Sequence, residues 1–247
     1  MKLSILIPAH NEEDVIYATV SDIVKKCNDE SICHEVIVVD DNSFDKTPLV
    51  LKKLSDEYGT VKFIRNEPPN GFGFAIKKGL KYFSGDAVAI VMADQSDFPD
   101  DIVKYYKKME EGYDCVFGSR FIKKGFVIDY PIHKLIINRF ANFFIKLLFS
   151  IHLNDTTNAF KCYRREVIEG IQPILSHHFN ITVELPLKAI VRGYSYDIVP
   201  IGWKNRTSGI SKLKIKEMGG RYLFIVLYVF LEKYLSNGDY IKKTESK

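Results

Sequence analysis

Short apolar runs alternate with segments of helical period along residues 1–120. The apolar runs are almost uninterrupted, as at residues 36–39 and 88–91, which is typical of strands buried on both faces. Repeated alternation of strand and helix predicts an α/β fold, with a mostly parallel sheet and helices on both of its faces. The predicted strands are residues 3–8, 35–40, 61–65, 87–93 and 115–118, and the predicted helices are residues 12–26, 45–58, 74–83 and 99–111.

Two strongly apolar segments follow in the second half of the chain. Residues 135–151 are interrupted by polar side chains such as Asn138 and Arg139, whereas residues 222–231 are all apolar or aromatic. Neither segment has the ~18 uninterrupted apolar residues that a membrane-spanning helix needs. We therefore expect helices that either pack on the core or lie on a membrane surface.

Polar side chains follow three of the predicted strands, where each strand ends. Because the carboxyl ends of parallel strands meet at one edge of a sheet, these side chains should form a site there. The first strand leads into Pro8, Ala9, His10, Asn11 and Glu12, the second into Asp40, Asp41, Asn42 and Ser43, and the fourth into Asp94, Gln95, Ser96 and Asp97.

The carboxylates at this edge suggest two kinds of binding. Asp94 and Asp97 are hard oxygen ligands a few residues apart, which suits Mg²⁺ or Mn²⁺ completed by substrate phosphates. Asp97 is also expected to cap the helix that starts at Pro99. Of Asp40 and Asp41, one is expected to cap the next helix and the other to bind a ribose hydroxyl or a base edge.

Positive charge is concentrated elsewhere in the chain. The net charge is only +4, but residues 203–221 contain six Lys or Arg residues against Glu217 alone. Lys134 and Asn138 lie four residues apart, on one face of a predicted helix. Candidate phosphate-binding residues are Arg120 at the end of the fifth strand, Lys134 and Asn138, and Arg206, Ser211 and Lys212 in a glycine-containing loop. Together they have the charge to neutralise two phosphate groups.

Composition and missing motifs exclude several classes of protein. The chain has 247 residues, 46% hydrophobic and 27% charged, as expected of a globular protein. Its four cysteines form no CxxC pair, which argues against a zinc site or a disulfide framework. Gly71 and Gly73 do not complete a dinucleotide-binding loop, and no ATP-binding P-loop or GxSxG nucleophile motif occurs.

Taken together, the motifs resemble those of the inverting glycosyltransferases of family 2, specifically the dolichol-phosphate mannose synthase type. The resemblance covers residues 3–212 and includes the acidic motif near Asp94. Its other motifs are IPAHNE at residues 7–12, VVDDNS at 38–43, NGFG at 70–73, GSRF at 118–121, DTTNAFKCYRRE at 155–166 and RxxGxSKL at 206–213. Each motif is weak alone, but their order and spacing are specific.

The resemblance implies a Rossmann-like GT-A fold, a nucleotide-diphosphate sugar donor (GDP- or UDP-linked) and a divalent metal, Mg²⁺ or Mn²⁺. The residues implied for the donor are Pro8, Ala9, Asn11, Glu12, Asp40, Asp41, Gly71, Asp94 and Arg120, and those implied for an acceptor phosphate are Lys134, Asn138, Arg206, Ser211 and Lys212. One position departs from the family pattern, because Met92 stands where the first acid of the metal motif is expected. Asp94 matches the second acid, and Asp97 is the candidate for the missing ligand.

The function expected from this resemblance is transfer of mannose or glucose to a polyprenyl phosphate such as dolichyl or undecaprenyl phosphate. A phosphate with a second pKa of ~6 is already a nucleophile at neutral pH, so no general base is required. Asp94, Asp97 and Arg120 are the expected catalytic residues, because they would stabilise the departing diphosphate.

We expect a catalytic domain at residues 1–212 and a basic, apolar C-terminal extension at residues 213–247, built on an amphipathic helix. A basic loop beside an apolar helix suits an anionic membrane surface. The predicted location is therefore cytoplasmic, peripheral on the cytoplasmic face of a membrane.

Two alternatives remain open from the sequence. A family 2 enzyme acting on a sugar hydroxyl would need a base, for which Asp155 and Glu184 are candidates. A non-catalytic protein that binds nucleic acid through its basic tail is the other alternative. Against it, residues 204–216 lack aromatic residues interleaved with the basic ones, so we expect no nucleic-acid partner.

Overall fold

The computed structural model describes residues 1–206 and 215–242. The predicted acceptor residues Ser211 and Lys212, and the predicted domain boundary after residue 212, lie outside the described residues. The strands are β1 (Leu3–Ala9), β2 (His34–Asp40), β3 (Val61–Arg65), β4 (Ala87–Ile90), β5 (Cys115–Ser119), β6 (Phe126–Ile128), β7 (Lys161–Arg164), β8 (Tyr196–Pro200) and β9 (Gly202–Lys204). The helices are α1 (Ile16–Asp29), α2 (Thr47–Glu57), α3 (Phe72–Gly79), α4 (Pro99–Glu110), α5 (Ile132–Phe149), α6 (Arg165–Gly170), α7 (Ile181–Val191) and α8 (Ile215–Leu235).

A central sheet in the described part of the chain has the strand order β3-β2-β1-β4-β7-β5-β8. Strands β3, β2, β1 and β4 pair in parallel, as do β5 and β8, whereas β7 runs antiparallel to both of its neighbours. A second, small sheet pairs β6 with β9 in parallel. The predicted mostly parallel α/β fold is confirmed.

Side chains alternate between the two faces of the sheet, and each face is buried under helices. Leu3, Ile5 and Ile7 pack with α1, α2 and α4 on one face. Leu6 and Ile37 pack on the other face with α3, α5, α6, α7 and α8. Burial on both faces explains why these strands are apolar without interruption.

The antiparallel strand β7 is the element that the apolar pattern did not predict. It is four residues long, and it begins with Lys161 and ends with Arg164, so no apolar run marks it. Lys161 pairs with Ile90 and with Phe117, near the carboxyl ends of β4 and β5. The loop that precedes β7 therefore lies at the same sheet edge as the polar strand ends.

Strand β4 ends at Ile90, three residues earlier than predicted, and α1 begins at Ile16 instead of at residue 12. Residues 91–93 and 10–15 are thus free of the regular elements and form the loops of the sheet edge. Elsewhere the predicted strands and helices of residues 1–120 differ from the observed ones by only a few residues.

The two apolar segments form α5 and α8. One side of α8 packs on the core through Ile225, Val226 and Val229, while Leu223 and Phe224 are exposed. The expected amphipathic helix is therefore apolar on both sides rather than polar outside. Within the described ranges, no helix combines the length and the hydropathy needed to cross a membrane.

Candidate active site

A cavity of about 630 Å³ opens at the carboxyl ends of the strands. The expected site residues on its wall are Pro8, Ala9, Glu12, Asp41, Gly71, Asp94, Asp97, Arg120, Lys134, Asn138 and Arg206. Donor-side and acceptor-side candidates thus share one cavity. Asn11 and Asp40 are the described candidates that do not line it.

Asp40 and Asn11 instead hold the loops behind the cavity wall. Asp40 is 1% exposed, and its Oδ1 accepts a hydrogen bond of 2.9 Å from the backbone amide of Ser43. The side-chain oxygen of Asn11 accepts 3.0 Å from the amide of Phe44. Both side chains accept hydrogen bonds from backbone amides of the loop after β2, so they are turned toward that loop and away from the cavity.

Asp41 is the member of the acidic pair that faces the cavity. Its two carboxylate oxygens accept hydrogen bonds from the Asn66 amide group at 2.7 Å and from the backbone amide of Gly71 at 2.8 Å. Gly71 has a φ of +152°, and a Cβ there would lie 2.8 Å from the carbonyl oxygen of His177. The position requires glycine because another chain segment approaches so closely.

His10 also lines the cavity, and its ring is hydrogen-bonded to the residue that follows β2. Its Nδ1 donates a hydrogen bond of 2.8 Å to the carbonyl oxygen of Asp41. The exposed ring of Phe44 packs edge-on against it, with the centroids 5.8 Å apart. The His10 ring is therefore held on the cavity wall by contacts within the protein.

In the acidic motif, the two carboxylates have different partners. Asp94 accepts 3.2 Å from the amide of Ser96 through Oδ1, and its Oδ2 lies 2.6 Å from Nη2 of Arg206. Asp97 accepts 2.9 Å from the amide of Met92 through Oδ2. The expectation that Asp97 caps α4 is wrong, since Phe98 is the N-cap and no side chain bonds there.

Asp97 is buried, and its Oδ1 has no hydrogen-bond partner among the described residues. Burial raises the pKa of this carboxyl to about 7. The negative charge of Asp94 raises the pKa further, whereas the hydrogen bond from the Met92 amide lowers it. An unsatisfied buried carboxylate oxygen is costly unless a proton or a cation compensates it.

These observations fit a divalent cation held by few protein ligands. Among the described residues, no group of three His, Cys, Asp or Glu side chains is placed to hold a metal. Mg²⁺ and Mn²⁺ accept one or two carboxylates when substrate phosphates and water supply the remaining oxygens. Asp94 and Asp97 would then be the protein ligands, and the thioether of Met92 is too soft to take part.

Arg120 is held rigidly by Asp155. Its Nε and Nη2 donate to the two carboxylate oxygens at 2.8 and 2.7 Å, and both side chains are buried. Burial alone would lower the pKa of Arg120, but the charge and hydrogen bonds of Asp155 outweigh it and raise the pKa. The guanidinium also lies over the rings of Tyr130 and Trp203, with its Cζ 5.6 and 5.9 Å from the ring centroids. Arg120 thus presents fixed N–H donors, with its net charge already balanced.

The loop before β7 organises this side of the cavity. Thr157 accepts hydrogen bonds from the side chains of Asn138 and Asn142, at 2.7 and 2.9 Å, and so joins the loop to α5. Buried Lys161 donates to the carbonyl oxygens of Thr156 and Asn158. One short segment therefore positions Arg120, through Asp155, and the α5 residues that the sequence predicted for the acceptor phosphate.

Neither candidate base for a hydroxyl acceptor faces the cavity. Asp155 is fully buried and occupied by Arg120. Glu184 is also fully buried; it accepts hydrogen bonds from the amides of Leu175 and Ser176 and pairs with Lys188. Both carboxylates stabilise the fold rather than reach a substrate.

Several cavity residues were not identified from the sequence. They are Tyr130 and Trp203 near Arg120, His178 and Phe179 before α7, and Arg221 and Tyr222 on α8. The Tyr222 hydroxyl donates 3.1 Å to the carbonyl oxygen of Phe179, which brings α8 to the cavity wall. From the sequence, Arg221 was only one charge of a basic stretch. Its place on the cavity depends on how α8 packs against the rest of the protein, which the local sequence does not show.

Two known proteins with similar sequences are a dolichol-phosphate mannosyltransferase and a polyprenol monophosphomannose synthase. Dolichol-phosphate mannosyltransferase of Pyrococcus furiosus is 33% identical over 221 residues, which cover 87% of this chain and 60% of that protein. Polyprenol monophosphomannose synthase of Mycolicibacterium smegmatis is 28% identical over 215 residues, 85% of this chain and 80% of that protein. The chain thus spans about three fifths of the length of the Pyrococcus relative.

A solved structure with a similar fold is that of glucosyl-3-phosphoglycerate synthase of Mycobacterium tuberculosis, crystallised with Mn²⁺, UDP and glucosyl-3-phosphoglycerate. The TM-score is 0.70 at 17% identity, covering 94% of this chain and 79% of that one. At this identity the likeness concerns the fold alone. The sequence profile of glycosyl transferase family 2 matches residues 4–171, more than half of the chain. The match and the carboxylate-lined cavity at the strand ends agree, and the chain belongs to glycosyl transferase family 2.

Proposed function

We propose that this protein transfers a hexose, mannose by the names of its relatives, from a nucleotide-diphosphate sugar to a polyprenyl phosphate. The observation that carries the proposal is the single cavity that unites an acidic motif with a cationic side. Glu12, Asp41, Asp94 and Asp97 lie at the first and Lys134 and Arg221 at the second, and Arg206 lies against Asp94 between them. Such a cavity suits a cation-bound diphosphate beside a second phosphate.

The placement of the two candidate bases supports a phosphate as the nucleophile. Asp155 and Glu184 are buried and fully engaged, so neither is available to take a proton from a sugar hydroxyl. An acceptor phosphate needs no such group, because its oxygen is already ionised at neutral pH. This favours the lipid phosphate acceptor over the sugar-hydroxyl alternative.

In the proposed reaction, an acceptor phosphate oxygen bonds to the anomeric carbon while the bond from that carbon to the nucleotide diphosphate breaks. Attack from the opposite face inverts the anomeric configuration. A divalent cation on Asp94 and Asp97 would neutralise the charge that develops on the departing diphosphate. Arg120, held by Asp155 and by its aromatic neighbours, directs N–H donors at the same cavity without needing to reorganise.

A membrane surface is part of the proposal, because the helices on the acceptor side have exposed apolar faces. Lys134 and Asn138 belong to α5, and Arg221 to α8. The large apolar side chains exposed on these helices include Ile136, Phe140, Phe143 and Leu147 on α5, and Leu223, Phe224, Leu227 and Leu231 on α8. The two helices are neighbours, since the rings of Phe149 on α5 and Phe230 on α8 pack edge-on with their centroids 6.1 Å apart.

Exposed apolar patches of this extent mark interaction surfaces, and basic residues beside them favour anionic lipids. From the sequence, residues 135–151 and 222–231 were both expected either to pack on the core or to lie on a membrane surface, and they correspond to α5 and α8. We place the protein peripherally on the cytoplasmic face of such a membrane, with the mouth of the cavity near the lipid phosphates.

The test is an acceptor and donor panel with the purified full chain and Mn²⁺ or Mg²⁺. GDP-mannose and UDP-glucose are each offered with a short-chain polyprenyl phosphate, 3-phosphoglycerate or a free saccharide, and products are identified by mass spectrometry. A mannosyl or glucosyl polyprenyl phosphate is the expected product. Transfer only to a saccharide hydroxyl or to 3-phosphoglycerate would contradict the proposal.

A further inference from the structure

Arg206 lies directly on the acidic motif. Its Nη2 is 2.6 Å from Oδ2 of Asp94, and its Nη1 is 4.0 Å from Oε1 of Glu12. The side chains of Asp94 and Glu12 are about one-tenth exposed, and that of Arg206 is 18% exposed. The guanidinium therefore bridges the end of β4 and the end of β1, where the donor diphosphate and its cation are expected.

The backbone near Arg206 is anchored to the same loops. The amide of Lys204 donates 3.0 Å to the carbonyl oxygen of Ser96, and Trp203 forms a β-bridge with Asp97. The amide of Asn205 donates 3.0 Å to the carbonyl oxygen of Ile128. Arg206 follows immediately after these anchors, so its long side chain pivots from a fixed point beside the acidic motif.

Arg206 and a divalent cation are both attracted by the same carboxylate, Asp94. The other oxygen of Asp94 already accepts the Ser96 amide, so Oδ2 is the one turned to Arg206. A cation bound to that oxygen at ~2.1 Å would lie within a few ångströms of the guanidinium, and the two positive charges would repel each other. The two positive groups are therefore competitors for Asp94.

We propose that Arg206 occupies the place of the cation on Asp94 until metal and donor bind, and that its displacement delivers it to the acceptor phosphate. This inference deepens the proposed function and rests on it for the second step. It makes binding ordered, because the acceptor phosphate gains Arg206 only after the donor diphosphate and its cation have released it. Arg120 has no comparable freedom, since Asp155 holds it with both oxygens.

The first step is tested with Mn²⁺ alone, without nucleotide, by titration followed by electron paramagnetic resonance of the free ion. Arg206→Ala should bind Mn²⁺ about tenfold more tightly than the unmodified chain, because a charge-assisted bond to Asp94 no longer competes. Lys134→Ala is the matched control, since it removes one positive charge from the same cavity wall. It should tighten Mn²⁺ binding no more than ~2-fold, through unspecific electrostatics.

Equal or weaker Mn²⁺ binding by Arg206→Ala would overturn the inference, and so would an equal gain in Lys134→Ala. Arg206→Gln, which keeps most of the side-chain volume, should reproduce the tighter binding, and thermal unfolding verifies that each variant is folded. This readout does not depend on turnover. If no lipid acceptor is used but the Mn²⁺ result holds, the proposed function fails while the competition for Asp94 stands.

The second step is tested by binding of a short-chain polyprenyl phosphate with and without GDP and Mn²⁺. In the unmodified chain GDP and Mn²⁺ should tighten this binding about tenfold, whereas Arg206→Ala should show little difference. The same enhancement in both proteins would contradict the delivery of Arg206 to the acceptor.

Discussion

At the scale of single residues, Asp97 is a carboxylate that the protein satisfies only in part. One oxygen accepts the amide of Met92, and the other is buried without a partner among the described residues. Its pKa of about 7 reflects this, mainly through burial. A group whose folded-state pKa is raised above the unfolded value of ~3.9 contributes stability below pH ~4, and that stability is lost as the pH rises toward 7.

Asp97→Asn should therefore stabilise the cation-free protein at pH 8, by up to ~4 kcal/mol in free energy of unfolding, and have little effect at pH 4. The amide oxygen of Asn keeps an acceptor for Met92 while no charge is buried. Urea unfolding in a chelating buffer at both pH values measures this. Asp22→Asn on the exposed side of α1 is the control and should change nothing. A variant less stable than the unmodified chain at pH 8 would show that Asp97 is compensated in another way.

For the buried pair of Arg120 and Asp155, we expect removal of the carboxylate to destabilise the protein. Asp155→Ala leaves a buried guanidinium without its carboxylate, so it should lower the free energy of unfolding by ~3–5 kcal/mol. Asp56→Ala breaks the exposed pair with Lys52 on α2 and should cost less than ~1 kcal/mol. Urea unfolding of the two variants under one condition compares them. Similar losses would mean that water reaches Arg120 and solvates it.

At the scale of elements, α5 and α8 each contribute polar groups to the cavity and apolar side chains to the outer surface. On α5, Phe140 is 72% exposed and Phe143 is 65% exposed. Side chains so exposed add little to the folded core, and they gain free energy only when another apolar phase covers them.

The double variant Phe140→Asn, Phe143→Asn should bind anionic phospholipid vesicles at least ~10-fold more weakly than the unmodified chain, because the apolar area available for burial falls while the charge is unchanged. Sedimentation with vesicles at low salt measures the partition. Leu49→Asn on α2, where the side chain is 69% exposed, is the matched control and should leave it unaltered. Equal loss in the control, or no loss in α5, would remove this helix from the membrane surface.

The sequence predicted the elements of residues 1–120 and the polar strand ends well, because both follow from local periodicity. Asp94 and the pair Asp40 and Asp41 were singled out in this way, whereas Gly71 was implied only by the family resemblance. The pairing of Arg206 with Asp94 spans 112 residues, and nothing local to either residue encodes it. Likewise, Asp155 and Glu184 read as possible bases because burial and partners cannot be read from residue type. Strand β7 was missed because it lacks an apolar run.

At the scale of the whole molecule, the antiparallel β7 joins the two sides of the cavity. Because β7 starts at the carboxyl ends of β4 and β5, the loop before it brings Asp155 and Thr157 to the sheet edge. The proposed donor side comes from residues before 100 and from Arg120, and the proposed acceptor side from α5, α8 and the β9 region. Ligands that bind the cavity therefore connect parts that are distant along the chain, and should stabilise all of them together.

A nucleotide diphosphate with Mn²⁺ should raise the melting temperature, since saturation at 100 times the dissociation constant adds ~2.7 kcal/mol. For a chain of this length that corresponds to a shift of several degrees. Comparing GDP with UDP identifies the preferred base, because the better ligand gives the larger shift. Asp94→Asn should lose the Mn²⁺-dependent part of the shift, while retaining the response to nucleotide alone. A full Mn²⁺-dependent shift in this variant would exclude Asp94 as a ligand.

Trp203 lies on the cavity wall, and it is the only tryptophan in the chain. Its ring is 4.7 Å from that of Tyr130 and close to the guanidinium of Arg120, and its backbone is bridged to Asp97. Selectively excited indole emission of this protein therefore originates at one point, beside the groups that would hold both substrates. The unlabelled protein thus contains its own optical probe, and stopped-flow fluorescence can time the arrival of donor and acceptor separately.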